Sequence, residues 1–399
     1  MKNKIRPKLV LLMIILIIIS SCKEKRSDNQ IPADLASVST DTTLSGLQAT
    51  HFTDTINSKP VGLYVLKNKN GLEATFTNYG QRLISLLVPD KNGRFEDVVL
   101  GFSSLEPYTV GRGMFFGAVV GRYGNRIANG SFELDGVNFD LARNNGPNHL
   151  HGGEIGFEAV VWEVDSLTDN HIRFRRLSPD MEEGYPGNLE VVVRYTLTDA
   201  NELEISYEAE TDKKTHVNLT HHSYFNLKGA GNGDITDHIL YVNADHFTPV
   251  AGKGLIPTGE LRPVKGTPFD FLEPKLIGKE IDSDYEQMQF GGGYDHNFVL
   301  NDSPTNASGL VLAARVTEPK SGRVMEVYTN EPGVQLYCGN FMDGKTVGKK
   351  EKIYAHRGAL CLETQHFPNS PNQQNFPSTI LEPGEQYNSV CVYQFKTTE

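Results

Sequence analysis

Glu363 is the strongest chemical anomaly in the chain. It follows the apolar run 359–362. A carboxylate in such surroundings is rare unless it is paired or functional. Four further segments set polar groups among apolar or glycine-rich neighbours. In 218–226, a strand would put Asn218, Thr220, His222 and Tyr224 on one face and His221 on the other. In 148–153, His149 and His151 precede Gly152 and Gly153, which allow close backbone approach. In 121–127, Asn125 and Arg126 offer amide and guanidinium groups suited to vicinal hydroxyls. In 291–298, Asp295 sits beside flexible backbone, and Gln335 lies in an apolar strand just upstream of Glu363. A carboxylate with an imidazole suits general acid–base work, and the rest suit a hydroxyl-rich ligand. Taken singly, each segment also reads as ordinary structure: a satisfied core histidine, a glycine-rich turn, an exposed arginine.

The elements that must position these groups are strands. Glu202–Glu210 alternates without a fault, with Leu203, Ile205, Tyr207 and Ala209 on one side. Asp135-Gly136 between Phe132–Leu134 and Val137–Phe139 is a two-residue hairpin signal. Further strands are predicted at 72–78, 83–88, 160–164, 189–197, 310–316, 324–328, 358–364 and 390–395. Helical periods are scarce, with short helices expected only at 105–108 and 274–281. There is no fixed-period repeat, which disfavours a propeller or solenoid. The expectation is an all-β fold, a large antiparallel β-sandwich formed by residues 51–399.

The chain has 399 residues, 38% hydrophobic and 22% charged, with 38 Gly and a net charge of −11. Four of its cations lie in the first 21 residues, so the remainder is more acidic still. Such a body repels phosphate backbones, so no nucleic acid partner is expected. Cys22, Cys338, Cys361 and Cys391 form no CxxC and no cluster, so no structural zinc is indicated. The last three read as core residues.

The N-terminus reads as an address. Basic residues in 2–8 precede the apolar run Leu9–Ile19. As a helix that run spans about 16 Å, short of the ~30 Å hydrocarbon core. It is therefore read as a signal peptide, residues 1–21, and not a membrane span. The ending Ile19-Ser20-Ser21-Cys22 resembles a bacterial lipoprotein lipobox. That resemblance implies cleavage before Cys22, lipidation of Cys22, and a membrane-anchored lipoprotein of the bacterial cell envelope. Polar residues 22–50 are read as a lipidated cysteine with a flexible tether reaching some 25–30 Å.

Six motifs, in family order from about residue 60 onward, resemble the aldose 1-epimerase (mutarotase) family. They are Gly121–Ile127, Asn148–Gly153, His222–Leu227, Tyr294–Phe298, Pro332–Tyr337 and Leu362–Pro368. The resemblance implies interconversion of the α and β anomers of free sugars within a large antiparallel β-sandwich. It implies a free monosaccharide as substrate and no cofactor or metal. It places the general base on Glu363, the general acid on His222 and a second active-site histidine on His151. Sugar-binding positions fall on Asn125, Arg126, Asp295 and Gln335. One departure is His221, where the family often has Asn; alternation points it away from the cleft.

An anomer inverts at C1 only through the open-chain aldehyde. Opening needs a base at the C1 hydroxyl and an acid at the ring oxygen. With ordinary values of ~4.3 for Glu and ~6.5 for His, activity should fall at low pH as Glu363 protonates. It should fall at high pH as His222 loses its proton. The rivals are a glycoside hydrolase using Asp295 and Glu363, a non-catalytic sugar-binding lipoprotein, and a metal-binding protein. The last rests on His149, His151 and Glu154, which loosely echo metal-binding cupin barrels at too short a spacing.

Overall fold

The strongest alternation in the sequence forms the centre of the largest sheet. Glu202–Thr211 buries Leu203, Ile205, Tyr207 and Ala209 and leaves its acids toward water. The chain is described here from a computed structural model covering residues 42–111, 115–303 and 305–398. Nine antiparallel strands make that sheet, in the order Glu163–Leu167, His171–Ser178, Leu189–Leu197, Glu202–Thr211, Tyr387–Thr397, Arg323–Thr329, Val311–Thr317, Ile239–Val242 and Lys275–Leu276. The C-terminal strand Tyr387–Thr397 inserts between Glu202–Thr211 and Arg323–Thr329 and so joins the earlier half of the sheet to the later half.

Two smaller sheets complete the frame. One runs through Leu63–Lys67, Glu73–Thr77, Arg82–Pro89 and Phe95–Asp97. The other runs through Arg262–Pro263, His246–Phe247, Asp295–Val299, Gly333–Tyr337 and Cys361–Gln365. A continuous apolar core reaches all three, including Phe76, Leu86, Tyr195, Ile205, Val327, Leu336 and Leu362. Burial of these side chains is the main force holding the sheets face to face. The architecture is the all-β sandwich expected.

The hairpin at Asp135-Gly136 forms, pairing Ser131–Leu134 with Val137–Asp140. Both turn residues have positive φ, at 52° and 77°, which the right-handed twist of a tight hairpin requires. The helix expected at 105–108 appears as Glu106–Thr109. The one expected at 274–281 does not. Lys275–Leu276 instead pairs with Ile239–Val242, and a short 3-10 turn follows at Ile277–Lys279. The N–H groups of Ile277 and Gly278 bond His238 and Thr236 carbonyls, so no helical ladder is left to form.

The ordered body begins earlier than residue 51. Leu47 is 2% exposed, the Leu44 N–H donates to Glu73 Oε1 at 2.8 Å, and Ser85 and Ser45 hydroxyls meet at 3.0 Å. Composition alone hid this because one buried leucine among Ser and Thr leaves no period to detect. Cys22 and the segment 1–21 lie outside the described residues. Cys338, Cys361 and Cys391 are buried free thiols, as core residues should be. Among the described residues no helix is long and apolar enough to cross a membrane.

Candidate active site

Register in the five-stranded sheet assembles the first wall of the site. Gln335 lies opposite Asn297 on one side and Glu363 on the other, and Asp295 lies opposite Tyr337. Residues two apart share a face. Asp295, Asn297, Gln335, Glu363 and Gln365 therefore form one polar, buried face. Gln335 Nε2 donates to Asp295 Oδ1 at 2.7 Å. Glu363 Oε2 and Gln335 Oε1 are buried with no protein partner among the described residues. Unmet acceptors of this kind carry a penalty that a hydroxyl-bearing ligand removes.

His222 closes over this face from the strand Thr220–His222, which pairs with Ala118–Val120. Its Nε2 stands 3.6 Å from Glu363 Oε1. His221 points the other way, meeting Tyr195 Oη at 3.3 Å and Ser223 Oγ at 2.7 Å. The expected alternation holds, and His221 is a core group.

His151 arrives on a strained turn. Its φ is 52° and that of Gly152 is 89°. A Cβ at Gly152 would fall 1.8 Å from the Gly121 carbonyl oxygen, so only glycine fits there. The turn is locked to Asn125 in both directions. Asn125 N–H donates to His151 Nδ1 at 3.1 Å, and His151 N–H donates to the Asn125 carbonyl at 3.0 Å. Asn125 itself has φ 64° and its side-chain oxygen accepts the Arg126 N–H at 2.9 Å. Arg126 is half-buried, with Nε donating to Asn145 Oδ1 at 3.2 Å. Its charge acts on both Glu363 and Asp295.

His151, His222, Glu363, Asp295, Gln335, Asn125 and Arg126 therefore meet in one place, whereas His149, His221 and Glu154 stand apart from it and Cys22 lies outside the described residues. Two aromatic groups, Tyr337 and Phe115, were missed as part of the site, and a third, Tyr224, was placed on the His222 face but given no role. Tyr224 stacks on the His222 ring at 4.9 Å and 14°, and Tyr337 meets it edge-on at 6.5 Å. Phe115 packs against both histidines, 4.6 Å from His151 and 5.7 Å from His222. The amides Asn297 and Gln365 were recoverable in the way Tyr224 was, as i+2 neighbours of Asp295 and Glu363. Phe115 carried no signal, being one apolar residue in an apolar run.

Burial sets the protonation of the trio. It pushes the Glu363 carboxyl well above the ordinary carboxylate range; the nearby Asp295 charge adds to this and Arg126 opposes it. Burial lowers His222 to about 3, with the Arg82 charge contributing. Burial likewise holds His151 well below its usual value, with His222 and Arg126 adding. This reverses the order expected from isolated groups. Burial thus favours the neutral form of each partner, a carboxyl at Glu363 and an uncharged imidazole at His222.

His151, His222 and Glu363 offer ligand atoms all within 4.8 Å of one another, the shape of a two-histidine, one-carboxylate metal set. The tautomer of His151 does not fit that use. Its Nδ1 accepts a backbone N–H, so the neutral ring carries its proton on Nε2. A ligating histidine does the opposite, donating through its other nitrogen. His149 is no partner either: Nδ1 meets the Ala142 carbonyl and Nε2 meets Tyr185 Oη, both at 2.7 Å. Glu154 is exposed. The trio is thus a donor, a proton-holding pair and no cation cage.

A family model described as aldose 1-epimerase matches residues 62–394. The chain is 48% identical over 324 residues to a galactose mutarotase of Sus scrofa, covering 81% of this chain and 91% of that protein. It is 38% identical over 341 residues to an aldose 1-epimerase of Escherichia coli (strain K12), covering 85% and 96%. Among solved structures, the GalM/aldose epimerase homologue from C. elegans superposes with a TM-score of 0.77 at 33% identity, covering 85% of this chain and all of that one. The galactose 1-epimerase from Lactobacillus acidophilus NCFM gives 0.75 at 30%, covering 87% and 97%.

Proposed function

Since this chain belongs to the aldose 1-epimerase family, we propose that it interconverts the α and β anomers of free aldoses of the glucose and galactose type, with Glu363 and His222 as its proton-transfer pair. The observation that carries the assignment is the 3.6 Å approach of His222 Nε2 to Glu363 Oε1, with both side chains buried. Ring opening moves one proton from O1 to O5 overall, so the site needs one group that accepts and one that donates. A pair holding a single proton meets that need in either direction.

In the reading the family resemblance favours, Glu363 takes the O1 proton and His222 gives one to O5 as the C1–O5 bond breaks. Sugar hydroxyls reaching Glu363 Oε2, together with the Arg126 charge, stabilise the carboxylate and send the resting proton across to His222. After rotation about C1–C2, the ring closes on the other face with the roles reversed. His151 presents Nε2–H, a donor suited to steadying the ring oxygen as it gains charge. Asp295, Gln335, Asn125 and Arg126 hold the remaining hydroxyls. Each member of the acid–base pair is worth about 10²–10⁴-fold.

The test is optical rotation of freshly dissolved α-D-glucose or α-D-galactose, with residues 23–399 and its Glu363→Gln variant in parallel. Faster relaxation with wild type only supports the assignment. Relaxation at the buffer rate with both would leave a sugar-binding protein without catalysis. The lipobox-like sequence before Cys22 supports anchoring by acyl chains in a bacterial cell envelope. Full-length chain carrying Cys22→Ser should then appear in the soluble fraction; unchanged membrane recovery would overturn the anchor.

A further inference from the structure

Arg82 is 1% exposed and opens the strand Arg82–Pro89 of the four-stranded sheet, not the five-stranded sheet that carries the polar wall. Its guanidinium spans two backbone segments. Nη1 donates to the Phe116 carbonyl and Nη2 to the Glu158 carbonyl, each at 3.0 Å, while its Cζ sits 4.9 Å from the Tyr108 ring centroid. The first segment carries Phe115, whose ring contacts both catalytic-site imidazoles. The second follows shortly after the turn that carries His151, and the two pack closely around Gly156, where a Cβ would fall 2.9 Å from the His151 carbonyl oxygen and 2.4 Å from Glu158 Oε2.

The backbone continues the same grip. Leu83 N–H donates to the Gly117 carbonyl at 2.9 Å, and Gly117 N–H donates to the His222 carbonyl at 3.1 Å. Gly117 has φ 67°, and a Cβ there would fall 2.1 Å from the Leu83 carbonyl oxygen. The line from Arg82 to His222 is therefore short, rigid and tightly packed. We infer that Arg82 is a positioning residue: it fastens the Phe115–Gly117 segment to the Phe157–Ala159 turn and thereby fixes His222 and His151 against Glu363. This rests on the acid–base reading above.

A guanidinium in this place does more than brace. It stays charged when buried, and that charge helps keep His222 neutral in the resting site. Among the described residues, the titratable groups facing His222 are Glu363, His151, Tyr224 and Tyr337. Those facing Arg82 are Tyr79, Tyr108 and Glu158. Glu158 is pushed up to about 7 by burial, far from the acid limb on which His222 reports. The guanidinium hydrogen bonds of Arg82 to the Phe116 and Glu158 carbonyls hold backbone and not the polar wall, so its loss should spare sugar affinity.

The experiment compares wild type, Arg82→Lys and Arg82→Met by mutarotation kinetics from pH 3 to 9, with Tm measured for each. Arg82→Lys keeps the charge but cannot span both carbonyls. It is expected to fold, to lose about 10-fold in kcat with KM within about twofold, and to keep the acid limb of wild type. Arg82→Met is expected to move that limb upward by roughly one pH unit. Wild-type kcat in Arg82→Lys, or a loss carried by KM, would overturn the inference. So would an unmoved limb in folded Arg82→Met. If Arg82→Met does not fold, the kcat and KM of Arg82→Lys decide alone. Wild type relaxing sugar at the buffer rate would instead sink the acid–base reading itself.

Discussion

His222 Nε2 lies 3.6 Å from Glu363 Oε1, both side chains almost wholly buried, on strands that share no ladder. Neither strand alone carries an acid–base pair; the sandwich makes it by packing Thr220–His222 against Cys361–Gln365. Glu363→Gln and His222→Asn should each lower kcat by about 10²–10⁴-fold with a smaller change in KM. The double variant should cost little more than either single one, because the two act as a unit. Multiplicative losses in polarimetric kcat would show that they act independently.

The pH dependence follows from one proton shared by that pair. Below the working range His222, lowered to about 3, takes up a second proton and the pair can no longer accept one. Above it Glu363, raised well beyond the carboxylate range, gives up the only proton and the pair can no longer donate. Activity should therefore persist well below pH 6, where an ordinary histidine is already charged, and fall only at the extremes. A kcat profile whose acid limb lies near 4.3 or whose alkaline limb lies near 6.5 would restore the order of isolated Glu and His.

His151 separates proton chemistry from metal chemistry. Its Nδ1 is occupied by the Asn125 N–H, so Nε2 carries hydrogen into the cleft. Dialysis against EDTA should leave the mutarotation rate within about twofold, and His151→Ala should lower kcat by about 10²-fold for want of the donor. Loss of activity on chelation, restored by zinc, would contradict the tautomer. Elemental analysis of purified protein gives a second reading of the same point.

Much of this site was legible because strands speak in a period of two. Glu363, Asp295 and Gln335 stand out as polar residues at inward positions, and alternation correctly turned His221 away from His222. Register was not legible: nothing in the sequence pairs Gln335 with Glu363, since any even shift would keep the same faces. The tautomer of His151 depends on a turn whose two halves are 26 residues apart. The depressed His222 and raised Glu363 depend on burial, which a residue's type does not report. The strand at Lys275–Leu276 was read as helix because two residues hold no period, and tertiary hydrogen bonds decided it.

The site should also be legible in stability. Glu363 has a folded-state value above its unfolded one, so its contribution is fully present below about pH 4.3 and is lost as pH rises toward the folded value. As pH rises past about 4.3 the unfolded chain gains by ionising Glu363, a gain that burial in the fold opposes. Glu363→Gln keeps shape and hydrogen-bonding capacity but has nothing to ionise. Its Tm should equal that of wild type near pH 4 and exceed it by about 2 °C or more at pH 8. Calorimetry across that range checks it: a Tm difference independent of pH, or one of opposite sign, would mean that Glu363 is already ionised in the folded protein. The same residue that makes proton transfer feasible would then be a stabilising charge, and the shared-proton account of the site would have to be replaced by a standing ion pair with His222.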